Sequence, residues 1–160
     1  NADDLTDASV SVGDTGTICG WYCVSAGVAV YDFQWAVAGP TALNFLIQAD
    51  ETIRFATDEP ADTNEASVTS STTLSRLQWE HVCWAWNRGA ADMRIYLNAT
   101  EVAYSATDRT WAAGGDYGTT FDITQSAIGD VAVSRLRYWR RDLSVSEINK
   151  EYRRFNTAYE

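Results

Sequence analysis

Residues 81–86 read HVCWAW. Successive side chains of an extended chain point to opposite sides, so a strand carrying apolar residues at both parities must be covered on both faces. This run therefore predicts a strand held between two layers. Around it lie short runs rich in Val, Ile, Thr, Trp and Tyr, separated by Gly, Asp, Asn and Ser. That pattern reads as strands and turns. It predicts strands over 9–12, 17–24, 30–37, 43–48, 52–56, 66–69, 81–86, 93–97, 102–105 and 131–139. Two-residue alternation is clear in several: Tyr31, Phe33, Trp35 and Val37 share one face, and Ile95 and Leu97 oppose Arg94 and Tyr96.

One segment reads as a helix, LSVSEINKEYRRF at 143–155. Ser144 is the expected N-cap, and Glu147, three residues on, completes a capping box. Val145, Ile148, Tyr152 and Phe155 then fall on one helical face, as in a short lid packed on a sheet. Many short strands with one small helix imply an all-β fold, a two-sheet antiparallel β-sandwich. There are no repeats and no linker, so one domain over residues 1–160 is expected. The stretch 58–73 is the most loop-like, polar and acidic, with a short strand within it.

The 160 residues are 46% hydrophobic, enough to bury a real core. No apolar run approaches the ~20 residues a membrane helix needs. A net charge of -10 repels phosphate backbones and anionic lipid, so nucleic acid is not an expected partner. Eleven of the twelve basic residues are Arg, and Lys150 is the one Lys; this reads as a compositional bias rather than a functional Arg cluster. Cys19, Cys23 and Cys83 lack zinc-ligand spacing, and the single His cannot complete such a site. At most one disulfide and one free thiol follow. The chain opens on Asn1 rather than Met, so an upstream part, with any targeting information, is expected to be missing.

Three segments carry a family resemblance. WEHVCWAW at 79–86, then a Gly turn and MRIYLNATEV at 93–102, resembles the W-x-H-V strand and the hairpin ending in Y-x-N-G of concanavalin A-like sandwiches of the laminin-G and pentraxin type. IGDVAVSRLRYWRRDLSVSEINKEY at 128–152 resembles that family's closing strand, its R-x-L-S-x-x-E-I turn and its terminal helix. GTICGWYC at 16–23 is similar to the early strand bearing a pentraxin's first cysteine. The resemblance implies a concanavalin A-like jelly roll, a fold that serves lectins, adhesion modules, glycan-cleaving enzymes and virion parts alike. It also implies that Cys19 and Cys83 lie on neighbouring strands where they can pair, two buried thiols being the alternative. Cys23, four residues after Cys19, would face the same layer and stay free.

Candidate chemistry divides into four cases. His81 and Cys83 stand two residues apart, but no Gly elbow for an oxyanion follows, and the resemblance makes His81 structural. Glu59, Asp62 and Glu65 form the closest acidic run, with a spacing that fits neither a strand face nor the alternating triplet of sandwich glycosidases. Calcium wants six to eight oxygens on loops; GGDYGTTFDITQSAIGD at 114–130 offers Asp116, Asp122, Gln125 and Asp130. By resemblance to the pentraxin calcium loop, Asp122 and Gln125 fall at two ligand positions and Asn44 corresponds to a third. The family's acidic triplet is reduced here to Gly114, Gly115 and Asp116, so one calcium rather than two is expected. Finally, glycan recognition needs aromatic platforms beside hydrogen-bonding groups. Trp111, with Tyr117, Asp108, Arg109 and Asp116 nearby in sequence, is the expected binding rim. Asn98-Ala99-Thr100 matches a glycosylation triplet, but the family's turn already accounts for the Asn.

The expected function is a non-catalytic recognition or adhesion module, binding carbohydrate with help from Ca2+. The alternative is a structural virion protein, a capsid decoration or a tail or fibre component, using the sandwich for assembly. Expected partners are a glycan or protein surface, including assembly into a larger particle or homo-oligomer. The expected location is extracellular, at a cell surface or on a virion.

Overall fold

The computed structural model describes residues 5–7, 13–25, 31–37, 39–48, 50–58, 66–108, 120–125 and 131–156. In chain order these hold β1 (Leu5–Asp7), β2 (Thr15–Val24), β3 (Tyr31–Val37), β4 (Gly39–Ile47), β5 (Thr52–Asp58), β6 (Ser67–Thr73) and β7 (Trp79–Asn87). A 3₁₀ turn (Arg88–Ala90) leads to β8 (Asp92–Leu97), β9 (Thr100–Glu101), β10 (Tyr104–Asp108), β11 (Thr120–Gln125), β12 (Val131–Trp139) and helix α1 (Val145–Asn156). One sheet has the order β1-β11-β3-β4-β5-β6-β10 and the other β12-β2-β7-β8-β9. Every strand pairing in both is antiparallel. The two-sheet sandwich is the architecture the sequence implied.

Strand β7 shows why HVCWAW is apolar throughout. Val82, Trp84 and Trp86 face the seven-stranded sheet and pack into one core with Ile18, Tyr22, Leu43, Phe45, Ile47, Ile53 and Phe55, all 0% exposed. The intervening Cys83 and Ala85 enter a second cluster with Cys19, Tyr96, Leu143 and Ile148. That cluster lies between the five-stranded sheet and α1. Trp84 also ties the layers together, since its Nε1–H donates to the Arg54 carbonyl of β5 at 3.2 Å. Gly16 is required opposite Trp86: a Cβ there would stand 2.1 Å from the indole.

The helix begins as its capping box predicts. The Ser144 N–H donates to Glu147 Oε2 at 3.0 Å, and the Glu147 N–H reaches Ser144 Oγ at 3.4 Å. The buried stripe differs from expectation in one place. Val145 is 50% exposed, while Leu143, before the first turn, is 2% exposed and fills the gap beside Ile148. Thr17 Oγ1 accepts from the Leu143 N–H at 2.9 Å and donates to the Arg141 carbonyl at 3.1 Å. This pins the approach to α1 against β2 and turns Val145 outward.

Three strands were not expected: β1, β9 and β11. For β11 the signal was present, since Phe121 and Ile123 alternate with Thr120, Asp122 and Thr124; the glycines before it made the whole stretch look like a loop. The strand expected at 102–105 lies instead at Tyr104–Asp108. Asn98 and Ala99 have φ of 49° and 65°, the positive values a two-residue hairpin turn demands. The first residues of that turn's strand, Thr100 and Glu101, form β9, and the Val102 N–H then donates to the Ile95 carbonyl at 3.0 Å. The expected strand at 9–12, and Glu59, Asp62 and Glu65, lie outside the described residues.

Candidate functional site

His81 is buried beside the second cluster. The register of β2 and β7 puts Cys19 directly opposite Cys83 and Trp21 directly opposite His81. Cys19 and Cys83 are joined by a disulfide, and Cys23 is a free, half-buried thiol. Trp21 stacks on Tyr152 of α1 with ring centroids 5.7 Å apart, and His81 lies 5.3 Å from Trp21 and 5.9 Å from Tyr152. Its Nδ1 is 3.8 Å from Cys83 Sγ. Burial lowers its pKa to about 4, because the charged form has lost its water. It is neutral at physiological pH.

The fold brings together what the sequence spacing did not suggest. Cys19, His81 and Cys83 place donor atoms within 4.8 Å of one another. The disulfide occupies both sulfurs, which leaves neither a thiolate nucleophile nor a thiolate metal ligand. The disulfide, the imidazole and the two aromatic rings form a packed seat for α1. The Asn98 side chain serves the same frame. Its Oδ1 accepts from the His81 N–H at 3.0 Å, and its Nδ2–H donates to the buried Glu80 carboxylate at 3.3 Å.

On β4 of the seven-stranded sheet, one parity faces the core and the other is more open. Strand β4 alternates strictly: Leu43, Phe45 and Ile47 are buried, Asn44 and Leu46 only partly so. Register then lines up Thr6, Asp122, Gln34 and Asn44 across β1, β11, β3 and β4. The next row holds Thr124, Asp32, Leu46, Arg54 and Thr69. Asn44 and Asp122 thus belong to one polar row, with β3 between them. Sequence reasoning missed Gln34, Asp32 and Arg54, because row membership depends on register and not on spacing along the chain.

Asp122 and Gln125 are strand residues rather than loop residues. The neighbouring strands that separate Asn44 from Asp122 put them two inter-strand steps apart, about 10 Å. Trp111, Tyr117 and Asp116, with Arg109, lie outside the described residues. They belong to the connection from β10, at one edge of the sheet, to β11, near the other edge. Among the described residues, no helix is long and apolar enough to cross a membrane.

A two-sheet antiparallel sandwich, its smaller sheet roofed by a capped helix, is the architecture of a lectin-like domain. The chain belongs to the concanavalin A-like lectin/glucanases superfamily, whose laminin G family model matches residues 2–149. No curated protein matches the sequence. Among solved structures it is similar to a heptameric SAP-like pentraxin from Limulus polyphemus, at 14% identity and a TM-score of 0.61 over 91% of this chain and 73% of that one. It is also similar to botulinum neurotoxin type C, whose cell entry depends on interaction with two ganglioside molecules. There the identity is 14% and the TM-score 0.70, over 90% of this chain and 37% of that one. The binding domain of botulinum neurotoxin DC, solved in complex with rat synaptotagmin II, gives 11% and 0.68 over 96% and 47%. The chain spans less than half the length of these two toxin chains. At such identities the likeness is one of fold.

Proposed function

We propose that this domain is a non-catalytic recognition module that binds carbohydrate on the outer face of its seven-stranded sheet. The observation that carries the proposal is the polar row Asp122, Gln34 and Asn44, laid side by side across three adjacent strands. A carboxylate and two amides at strand spacing suit the successive hydroxyls of a sugar ring, with donors and acceptors held by a rigid sheet. Trp111 and Tyr117, in the connection that returns to β11, supply the aromatic platform. Calcium assists through Asp116, Asp122 and Gln125. The ganglioside dependence of one structural relative supports the ligand class, and the Cys19–Cys83 disulfide supports an extracellular or cell-surface location.

A glycan array probed with and without a chelator tests this reading. Binding is expected, with Asn44→Ala weakening it by about tenfold, the cost of one or two hydrogen bonds. Absence of binding in both conditions sinks the reading, and release of reducing ends from a bound glycan sinks its non-catalytic half. An unchanged thermal midpoint in millimolar calcium removes the metal, because a ligand of the native state must raise it.

A further inference from the structure

His81 is a buried imidazole without a conventional partner. It is 3% exposed, and a ring so placed ordinarily bonds a carbonyl, a carboxylate or water. Among the described residues, the hydrogen-bond contacts of its ring are to Cys83 Sγ alone, 3.8 Å from Nδ1 and 3.9 Å from Nε2. A weak sulfur acceptor at that range makes up for little of the water the ring has given up. As filler under α1, a phenyl ring would occupy the same space without that cost. The two ring nitrogens call for a partner that packing does not supply.

The register of the sheet gathers three donors at this point. Nine consecutive pairs hold β2 against β7, from Thr15 opposite Asn87 to Cys23 opposite Trp79. Cys19 and Cys83 form one of these pairs, with Cα atoms 4.1 Å apart. The backbone ladder sets that separation as well as the bond between them, so the two sulfurs stay adjacent when the bond is opened. His81 lies two residues before Cys83, on the same face of β7. Both sulfurs and an imidazole nitrogen fall within 4.8 Å of one another. Donors bound at about 2.0–2.3 Å stand about 4 Å apart round one ion, so a turn of the ring and a small shift of the sulfurs close the triangle. Cys19 is 2% exposed and Cys83 0%, and the stacked rings of Trp21 and Tyr152 wall the group on the side of α1.

We infer that the reduced chain holds one copper(I) ion between Cys19, Cys83 and His81, so that the disulfide and the metal are alternative locks for the same seat of α1. A dithiol passes two electrons and two protons to the Cys19–Cys83 bond and closes to its own disulfide, leaving two thiols on the protein. Binding of the ion then releases both of those protons to solvent, because the sulfurs ligate as thiolates. Two thiolates and an imidazole are a soft donor set of the kind that selects copper(I). Among the described His, Cys, Asp and Glu residues the group has three members. Three donors suit copper(I) better than zinc, which wants a fourth ligand where aromatic rings leave little room for one. Cys23, a free thiol on the same strand, does not belong to the group. The inference is independent of the carbohydrate reading, which concerns the other sheet.

The test uses the full chain, reduced by a phosphine in urea, refolded without oxygen and titrated with copper(I) against a chromophoric chelator. The phosphine leaves as its oxide, with oxygen taken from water, and a thiol assay that finds all three cysteines free confirms the reduced state. One equivalent of copper(I) is expected to bind the reduced chain, and none the oxidised chain carried through the same steps. The ion is expected to raise the thermal midpoint of the reduced chain, as a ligand of the native state must. His81→Phe keeps a ring and removes the nitrogens. It is expected to weaken binding by about tenfold or more, since loss of even an outer-shell partner costs that much. Cys23→Ser is expected to bind as the parent does. No binding by the reduced chain, equal binding by the oxidised chain, unchanged affinity in His81→Phe or an equal loss in Cys23→Ser overturns the inference. So does copper that binds and leaves the midpoint unmoved, the mark of capture by unfolded thiols.

Discussion

Acidification is expected to destabilise this protein through His81 well before its carboxylates are protonated. The imidazole is 3% exposed and its pKa is lowered from 6.5 to about 4 by burial alone. The folded state therefore prefers the neutral form, and the unfolded state takes up the proton first. The stability His81 contributes is complete above the unfolded value of 6.5 and is lost as pH falls through the folded value near 4. A shift of about 2.5 units at about 1.4 kcal/mol each corresponds to roughly 3 kcal/mol in all, of which about 2 kcal/mol is lost between about pH 7 and about pH 5. The chain has one histidine, so no second imidazole blurs this window. Urea unfolding followed by tryptophan fluorescence reads the effect directly. With a slope of about 2 kcal/mol/M, the midpoint should fall by about 1 M across the window at constant slope. His81→Gln, which stays neutral, should flatten the dependence while lowering stability overall. A wild-type midpoint that does not move between about pH 7 and about pH 5 would refute the argument, as would an imidazole titrating near its ordinary value by NMR.

Three further outcomes follow from the geometry. Reduction of the Cys19–Cys83 bond, which closes a loop of sequence separation 64, should cost about 4 kcal/mol by chain entropy; a thermal midpoint unaffected by a reductant that demonstrably exposes both thiols would contradict this. Gly16→Ala drives a methyl into the Trp86 ring and should destabilise by about 1–3 kcal/mol, measured as a lower urea midpoint. Ser144→Ala removes the cap of α1 and should cost about 1 kcal/mol. It also takes one hydrogen bond from Glu147, whose pKa is now held at about 2 chiefly by Arg141, so that carboxyl should titrate at a higher pH in the variant, as read by NMR.

Much of the fold was legible in the sequence because its signals are local. Alternation in β3 and β8, the turn residues between strands and the Ser144–Glu147 box each act within a few residues and survive into the structure. HVCWAW announced a strand covered on both faces, which requires no knowledge of what covers it. The family motifs supplied the rest of the architecture and the neighbourhood of Cys19 and Cys83. The amphipathic reading of α1 failed only at Val145, where the Thr17 bonds to the preceding segment turn the first helical residue outward.

The proposed site was only partly legible, for a different reason. Asp122, Gln34 and Asn44 are far apart in the chain and become neighbours only through the register of β11, β3 and β4, which is fixed by long-range pairing. For His81 the family resemblance already implied a structural role; the structure closes the neighbouring cysteine into a disulfide and buries the imidazole beneath a helix. Local hydrogen-bonding and alternation determine which residues form strands; burial and charge clustering depend on which strands meet, and that is decided only when the sheets have packed.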